Sequence, residues 1–477
     1  MAACFVSSSI RICVSILLVV CLLVSGEAVA ENRHYATVPL SSLVGGASSS
    51  SAARAAAVAG HGGRDSVIRV VHNPNFRLLD QSEILRRDEA RVASLQSRMI
   101  PGHQNGVTKR ELSASSGARI PTTSGLNVGN GNYLVTVELG SQRKKLQLTM
   151  DTGSPLTWTQ CQPCATSCYN QPDPIFDPSA SSTYSNISCS SSSCSRLFAV
   201  PQSCPSDNAC RYSISYGDNS TSGGQVATDT LALTSTVKLP NYIFGCGRDN
   251  KGLFNGTDGL LGLSNDGIFS MVTQSASRFG KYFSYCLPPS TNSAGFLAFG
   301  NTTERSLNST SLGFTPLVTV PENPSFYGIR IIGISVGGVP LPVSSSRILM
   351  NSSSIIDSGT VITRLPAKVY SALRSAFRKS MTRYPKAPGN VLLDTCYDFS
   401  KFSTITYPRI VINFSGGVNV DLDISGIFFG DSTQMCLAFS PGTINGLLIY
   451  GNVQQRTFEI GYDVAGRKLE FRANGCS

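Results

Sequence analysis

Residues 146–158 read LQLTMDTGSPLTW and residues 353–366 read SSIIDSGTVITRLP. In both, an apolar run leads into Asp, a small hydroxyl residue, Gly and a second hydroxyl residue, and another apolar run follows. The two aspartates, Asp151 and Asp357, stand 206 residues apart. From average composition, Asp-[Ser/Thr]-Gly-[Ser/Thr] arises by chance in roughly a few per cent of chains this long. One copy therefore says little, whereas two copies in the same apolar setting carry weight. The repetition goes further: DGLLGLS (Asp258–Ser264) follows the first motif and GLLIYGNV (Gly446–Val453) the second, each an apolar run that reaches a Gly. Two halves written on one plan predict two similar lobes.

A carboxylate among apolar residues must be satisfied by hydrogen bonds. The motif supplies them locally. Gly153 and Gly359 let backbone N–H groups turn toward the acid, and the hydroxyls of Ser154 and Thr360 are placed to donate to it. Thr152 and Ser358 are free to bond across to the opposite half. With the two loops facing each other, Asp151 and Asp357 cannot both ionise readily, so one pKa rises, the other falls, and the pair titrates as a unit. While the pair holds one proton, the ionised carboxylate takes a proton from a water and its protonated partner donates to a substrate carbonyl. A tetrahedral diol forms, and its collapse passes a proton to the leaving amine. No cofactor, metal or covalent intermediate is called for.

Composition agrees with that chemistry. The chain has 477 residues, 41% hydrophobic and 14% charged, enough for two or three domain-sized units. All four histidines (His34, His61, His72, His103) precede residue 121, which removes His-based triads and His-ligated metals from the rest of the chain. Residues 1–30 read as a secretory signal: Arg11, the apolar run Val14–Val24, then AVA ending at Ala30. A plastid transit peptide is the alternative, although one Arg in thirty residues is few for that role. Beyond Cys4, Cys13 and Cys21, twelve cysteines remain between Cys161 and Cys476, an even number behind a signal, which implies disulfides. Zinc at CQPCATSC lacks both a second Cys-x-x-Cys pair and any His. Seven glycosylation sequons, at Asn186, Asn219, Asn255, Asn301, Asn308, Asn351 and Asn413, fit a lumenal route.

Four regions follow in order. A low-complexity stretch, Ser41–Gly63, precedes SEILRRDEARVASLQSRM (Ser82–Met99), whose Ile84, Val92 and Leu95 among charges predict an amphipathic helix. A Ser/Gly-rich stretch then leads to YLVTVELG (Tyr133–Gly140), read as the first strand of an antiparallel, sheet-rich body. Within that body, Val369, Leu373, Phe377 and Met381 recur at helical spacing between Pro366 and Pro385. The formal charge of +10 is densest in front: residues 31–120 carry twelve Lys/Arg against seven Asp/Glu, and residues 121–477 carry 26 against 21. The expected divisions are a signal at 1–30, a prosegment at 31–120, an N-terminal lobe at 121–315 with a Cys-rich insert at 161–210, and a C-terminal lobe at 316–477. YSISYGDNSTSGG (Tyr212–Gly224) reads as a hairpin. Taken alone it is a surface turn, but beside the two acidic motifs its Tyr216 and Gly217 read as a flap over the cleft, with Tyr216 directed toward Trp158.

From about residue 125 the chain resembles the pepsin-like aspartic proteases, in the plant atypical, nepenthesin-like group, and is similar to those described as chloroplast-nucleoid DNA-binding aspartic proteases. The resemblance rests on DTGSPLTWTQCQPC, SCYNQPDPIFDPSASSTYSNISC, FGCGRDNKGLFNGTDGLLGL, FSYCLP, FYGIRIIGISVGG, IIDSGTVITRLP and IYGNVQQRTFEIGYD. It implies an all-β, bilobal fold with the cleft between the lobes, Asp151 and Asp357 as catalytic aspartates, and Tyr216 as the flap tyrosine. It also implies the disulfides Cys161–Cys164, Cys189–Cys210, Cys194–Cys204, Cys168–Cys246, Cys286–Cys476 and Cys396–Cys436, which spacing alone does not choose. Two positions depart from the pattern. Pro155 stands where relatives commonly have Asp, and the flap reads YGDNST, which puts a sequon at Asn219.

The implied function is an acid endopeptidase made as a secreted zymogen, destined for the apoplast or vacuole, with the chloroplast as the alternative. Its expected partners are polypeptide substrates and its own prosegment, and it is expected to act as a monomer. A catalytically silent inhibitor or binding protein is a second reading, but such relatives typically lose one acidic motif and both are intact. DNA binding is a third. The only three-residue basic run in the body is Arg143–Lys145, with no interleaved aromatics, so nucleic acid is not an expected partner.

Overall fold

In the computed structural model, residues 34–42, 81–99, 118–124 and 131–476 are described, apart from 172, 198–203, 217–219, 253, 255, 266, 291–292, 294, 301–308 and 443–446. The signal, the low-complexity stretch beyond Ser42, Gly217 and the sequons at Asn219, Asn255, Asn301 and Asn308 lie outside the described residues. Strands dominate, arranged as two lobes. No helix among the described residues is long and apolar enough to cross a membrane.

Tyr133–Leu139 and Lys144–Asp151 form an antiparallel hairpin with Leu134 opposite Thr149 and Leu139 opposite Lys144. Their buried residues come mostly at alternate positions, the period that puts one strand face on the core. The turn closes with Gly140 at φ +80° and Arg143 at φ 53°. The acidic motif begins where the second strand ends. Gly259–Gly262 lies parallel to that strand, with Gly262 opposite Asp151, and antiparallel to Trp158–Gln160 on its other side. The C-terminal half repeats the scheme. Ser354–Ile356 runs into Asp357 and pairs in parallel with Leu448–Tyr450, which also contacts Thr363–Leu365 in antiparallel fashion. In each half, therefore, the later apolar strand lies between the strands on either side of the acidic loop.

A sheet drawn from both halves joins the lobes. Its strands run in the order Thr310–Pro316, Lys468–Ala473, Glu459–Asp463, Tyr282–Cys286, Gly295–Phe299, Ala118–Ser124, Tyr133–Leu139. The Phe283 and Tyr462 rings of adjacent strands stack at 4.4 Å, and the Cys286–Cys476 disulfide ties the end of Tyr282–Cys286 to the residues after Lys468–Ala473. Ala118–Ser124 lies in the Ser/Gly-rich stretch, where no strand was expected, and runs across the expected boundary between prosegment and N-terminal lobe at residues 120 and 121. It pairs with strands on both sides, so the sheet takes in residues on both sides of that boundary. The helix with the Val369, Leu373 and Phe377 stripe spans Ala367–Ser380, with all three fully buried.

Six disulfides form, and four pairings differ from those the resemblance implied. Cys161 bonds Cys246 rather than Cys164, because Trp158–Gln160 runs parallel to Lys238–Lys251 and the Cys161 N–H donates to Gly247 O. That leaves Cys164 for Cys168 rather than Cys246 for Cys168. In the insert, Cys189 bonds Cys204 and Cys194 bonds Cys210, where Cys189–Cys210 and Cys194–Cys204 were expected. Burial sorts them: Cys194 on the short helix Ser192–Leu197 and Cys210 are both buried, while Cys204 is exposed and Cys189 half-buried. Cys286–Cys476 and Cys396–Cys436 form as expected. Replacing Cys161 and Cys246 together by Ser opens a loop of 85 residues. The double variant is expected to lose about 4 kcal/mol in denaturant unfolding, against about 3 kcal/mol for the Cys189–Cys204 pair.

Two segments ahead of the body dock on it. Tyr35–Pro39 pairs antiparallel with Thr404–Pro408 at the edge of the C-terminal lobe. The helix Gln81–Ser97, here α1, lies in the cleft. Its buried face carries Ile84, Leu85, Val92 and Leu95, with Met99 just beyond. Leu85 packs with Val361, Ile362, Leu393 and Phe429, and Val92 and Leu95 with Val320, Phe326, Ile355 and Ile449. Burying each such side chain contributes roughly 1.5–3 kcal/mol, so docking of α1 is chiefly hydrophobic.

Candidate active site

Each acidic loop satisfies its own carboxylate. Asp151 accepts from the Gly153 N–H at 2.9 Å and the Ser154 hydroxyl at 2.5 Å. Asp357 accepts from the Gly359 N–H at 3.1 Å and the Thr360 hydroxyl at 2.5 Å. Thr152 and Ser358 reach across: the Ser358 N–H donates to Thr152 Oγ1 at 2.9 Å, and the Thr152 N–H donates to Ser358 Oγ at 3.1 Å. This reciprocal pair fixes the two loops against each other. The apolar–Gly strands pack beneath. The Leu263 N–H donates to Asp151 O and the Asn452 N–H to Thr360 O. A Cβ on Gly359 would stand 2.6 Å from Asp151 Oδ1, and one on Gly153 would stand 2.8 Å from Asp357 Oδ1, so both positions require glycine for the loops to approach.

Pro155 leaves those donors in place but removes another. The corresponding residue of the second loop, Val361, offers its N–H into the cleft, as does Ile362. Proline has none to offer. Tyr216, on the hairpin, is buried and accepts a hydrogen bond from Trp158 Nε1 at 2.9 Å, with the Phe254 ring edge-on to both. Burial pushes the Tyr216 phenol up to about 12, so it stays a neutral donor.

The site is occupied by the region read as the prosegment, although the sequence does not single out the side chain that enters it. Arg91 of α1 extends its guanidinium between the carboxylates, with Nη2 at 2.5 Å from Asp151 Oδ1 and 3.0 Å from Asp357 Oδ2. Its Nη1 and Nε complete a second bond to each acid. One turn earlier, Asp88 accepts from the N–H groups of Val361 and Ile362 and pairs with the buried Arg364. About two turns later, just past the end of α1, Arg98 donates to Gly153 O at 3.2 Å, its guanidinium 6.0 Å from the Tyr216 ring centre. In the sequence, RRDEAR looks like the solvated face of a helix, and nothing local aims Arg91 at aspartates 60 and 266 residues away.

The electrostatics differ at the two acids. At Asp151 burial presses the pKa upward, but the Arg91 charge and the bonds from Ser154, Arg91 and the Gly153 N–H outweigh it and hold the group below its ordinary value. At Asp357 burial dominates, and with the charge of Asp151 it holds the group above its ordinary value against Arg91, Thr360 and the Gly359 N–H. Arg91 is raised by the two aspartates despite its burial. A buried acid pair whose members are pushed apart, facing one point from two lobes, is suited to hold a single proton and pass it to and from a water. Among the described residues, no group of three or more His, Cys, Asp or Glu is placed to hold a metal ion.

Of the described sequons, Asn186 and Asn351 are exposed, whereas Asn413 is half-buried and its amide donates to Asn419.

Comparison with known proteins follows the two lobes. Residues 133–301 match the family described as "Xylanase inhibitor N-terminal" and residues 326–473 the one described as "Xylanase inhibitor C-terminal". An aspartyl protease family protein of Arabidopsis thaliana is 45% identical over 403 residues, covering 83% of each chain. Aspartyl protease AED1 of the same plant is 46% identical over 400 residues, covering 83% of this chain and 82% of its own. Aspartic proteinase nepenthesin-2 of Nepenthes gracilis is 36% identical, covering 76% of this chain and 82% of its own. Among solved structures, the aspartic proteinase from Irpex lacteus superposes with TM-score 0.54 at 19% identity, covering 76% of this chain and 98% of its own. Basic 7S globulin from soybean superposes with TM-score 0.58 at 20% identity, covering 75% of this chain and 97% of its own.

Proposed function

The chain belongs to the pepsin-like aspartic proteases, in their plant atypical group, and is an aspartic-type peptidase; on that premise we propose that Asp151 and Asp357 are its catalytic pair, made as a zymogen that α1 holds shut until the pH falls. The observation that carries the proposal is the convergence of both carboxylates on one guanidinium. The position of Arg91 Nη2, within hydrogen-bond reach of both acids, is where the attacking water belongs. Once α1 leaves, the pair shares one proton: its ionised member takes a proton from the water, and its protonated member donates to the scissile carbonyl. The reciprocal Thr152–Ser358 bonds keep the two acids in register, and Tyr216 with Trp158 closes over the substrate. While α1 is docked, the same place is filled by a cation that cannot react.

Release is coupled to pH through the pair. Asp357, raised, takes up a proton first and its bonds to Arg91 weaken first. Asp151, lowered while Arg91 is docked, favours docking above the ordinary carboxylate range, and that contribution is lost as the pH falls through its depressed value. Full-length protein held near neutrality is therefore expected to stay intact. Acidified to about pH 3, below the usual Asp range, it is expected to shorten to a new N-terminus within residues 100–117, ahead of the strand at Ala118. Time-resolved gels with N-terminal sequencing check this, and pepstatin in the acid step is expected to block it. Intact chain at pH 3, or processing equally fast at neutrality, would remove the proposal. The signal-like N-terminus, the cysteines and the sequons support a secretory route, with apoplast or vacuole as destination.

An inhibitory or binding role, which the descriptions of the two matching families bring to mind, is the weaker reading because both acidic loops are intact and donor-satisfied.

A further inference from the structure

We propose that the cleft beside Asp357 contains a carboxylate receptor, built from the N–H groups of Val361 and Ile362 and the Arg364 guanidinium, that makes the processed enzyme favour substrates with an acidic side chain one to two residues from the scissile bond. The inference rests on reading the cleft as that of a peptidase.

The receptor is visible because α1 fills it. Asp88 Oδ1 accepts from the Val361 N–H at 2.5 Å, and Oδ2 accepts from the Ile362 N–H at 3.0 Å and lies 2.9 Å from Arg364 Nη1. Both charged side chains are almost fully buried, Arg364 at 1% exposure and Asp88 at 0%. Two backbone donors, one to each oxygen, with a guanidinium in ion-pair contact, is an arrangement for an ionised carboxylate rather than a chance surface contact. The other partners of Arg364 are its neighbour's carbonyl, Ile362 O, and Glu89, which also belongs to α1. Its Nε has no acceptor.

Departure of α1 therefore removes both acidic partners of a buried guanidinium together with the acceptor for two backbone N–H groups. Water then reaches these donors, and an anionic side chain of the substrate, which brings its own desolvated surroundings, can take the place that Asp88 held. The first loop cannot offer the same, since Pro155 stands where Val361 does and lacks the N–H. Acid recognition is thus confined to one side of the scissile bond.

Position follows from helix geometry. Asp88 precedes Arg91 by three residues, about 4.5 Å along a helix axis. An extended substrate advances about 3.3 Å per residue, so the same distance corresponds to between one and two residues. Beside the receptor, the surface that holds Leu85 (Val361, Ile362, Leu393, Phe429) is apolar, so the neighbouring substrate position on that side favours a large aliphatic side chain.

The test uses protein freed of residues before 118 by acid processing or, failing that, by a protease site placed within residues 100–117. A set of neutral peptides carries Glu or Gln in turn at each of three positions on either side of one scissile bond. At about pH 5, where a substrate carboxyl is ionised, kcat/KM is expected to favour Glu over Gln about tenfold at a single position. In Arg364→Gln the ratio is expected to fall to about one, and in Arg364→Glu a Lys peptide should overtake the Gln peptide. A merely structural Arg364 would slow both peptides equally and leave the ratio unchanged, which would overturn the inference. So would hydrolysis by the unaltered protein with equal rates for Glu and Gln at every position. If nothing is hydrolysed, the same peptides carrying a fluorophore are titrated by polarisation. A Glu-over-Gln affinity ratio lost in Arg364→Gln then upholds the receptor while refuting the peptidase reading, and equal affinities refute the receptor.

Discussion

Asp357→Ala is expected to reduce hydrolysis of an unfolded polypeptide at acidic pH by at least about 10⁴-fold, with no change in the elution volume or secondary structure of the protein. One member of an acid–base pair contributes roughly 10²–10⁴ by itself. Here the loss is compounded, because the remaining Asp151 is left without the neighbour whose proton the mechanism needs. The change is small for the fold. The Thr360 hydroxyl and Gly359 N–H that Asp357 held are then open to water once α1 has gone, and the Thr152–Ser358 bonds that join the loops do not involve the carboxylate. The same substitution in unprocessed protein should also stop processing by its own activity. Residual activity near that of the unaltered protein would show that the two acids do not work as a pair.

The second large effect is expected at the other end of the same contact. Arg91→Ala removes the cation that spans Asp151 and Asp357 and leaves two carboxylates under a docked helix with no counter-charge. Breaking one side of a buried ion pair costs about 3–5 kcal/mol, so undocked α1 should become roughly 10²–10⁴ times more populated. The variant is expected to process itself and cleave substrate at pH values where the unaltered chain is inert, and purified precursor should lose its early N-terminus on storage. Arg91→Lys should fall between them, since an ammonium lacks the planar fork that lets Arg91 bond each acid through more than one nitrogen. Precursor of Arg91→Ala that stays as latent as the original would mean that apolar packing of Leu85, Val92 and Leu95 alone holds the cleft closed.

How much of this the sequence disclosed depends on the distance over which each interaction acts. The acidic loops were legible because Asp151 and Ser154, or Asp357 and Thr360, meet within three residues, and the apolar–Gly partners recur at matching places in the two halves. Likewise, the stripe Val369, Leu373, Phe377 carries its own period. The pairings Cys161–Cys246 and Cys194–Cys210 were not legible, because a parallel strand register and the burial of a short helix choose them. Ala118–Ser124 was not legible as a strand because it sits in a Ser/Gly-rich stretch and its pairing comes from neighbours in the sheet that are distant in sequence. Least legible were Asp88, Arg91 and Arg364. They sit in a helix and a strand whose local patterns are ordinary, and their roles arise only when α1 is laid across one loop 60 residues and another 266 residues from Arg91.

The measurement that bears most directly on the central claim is the pH dependence of kcat/KM for the processed protein on an unstructured peptide. A pair that works only while it shares one proton predicts a bell-shaped profile confined to acid, falling on the low side as the pair gains its second proton and on the high side as it loses the last one. A flat profile, or a maximum near neutrality, would contradict the assignment of Asp151 and Asp357 as the catalytic pair.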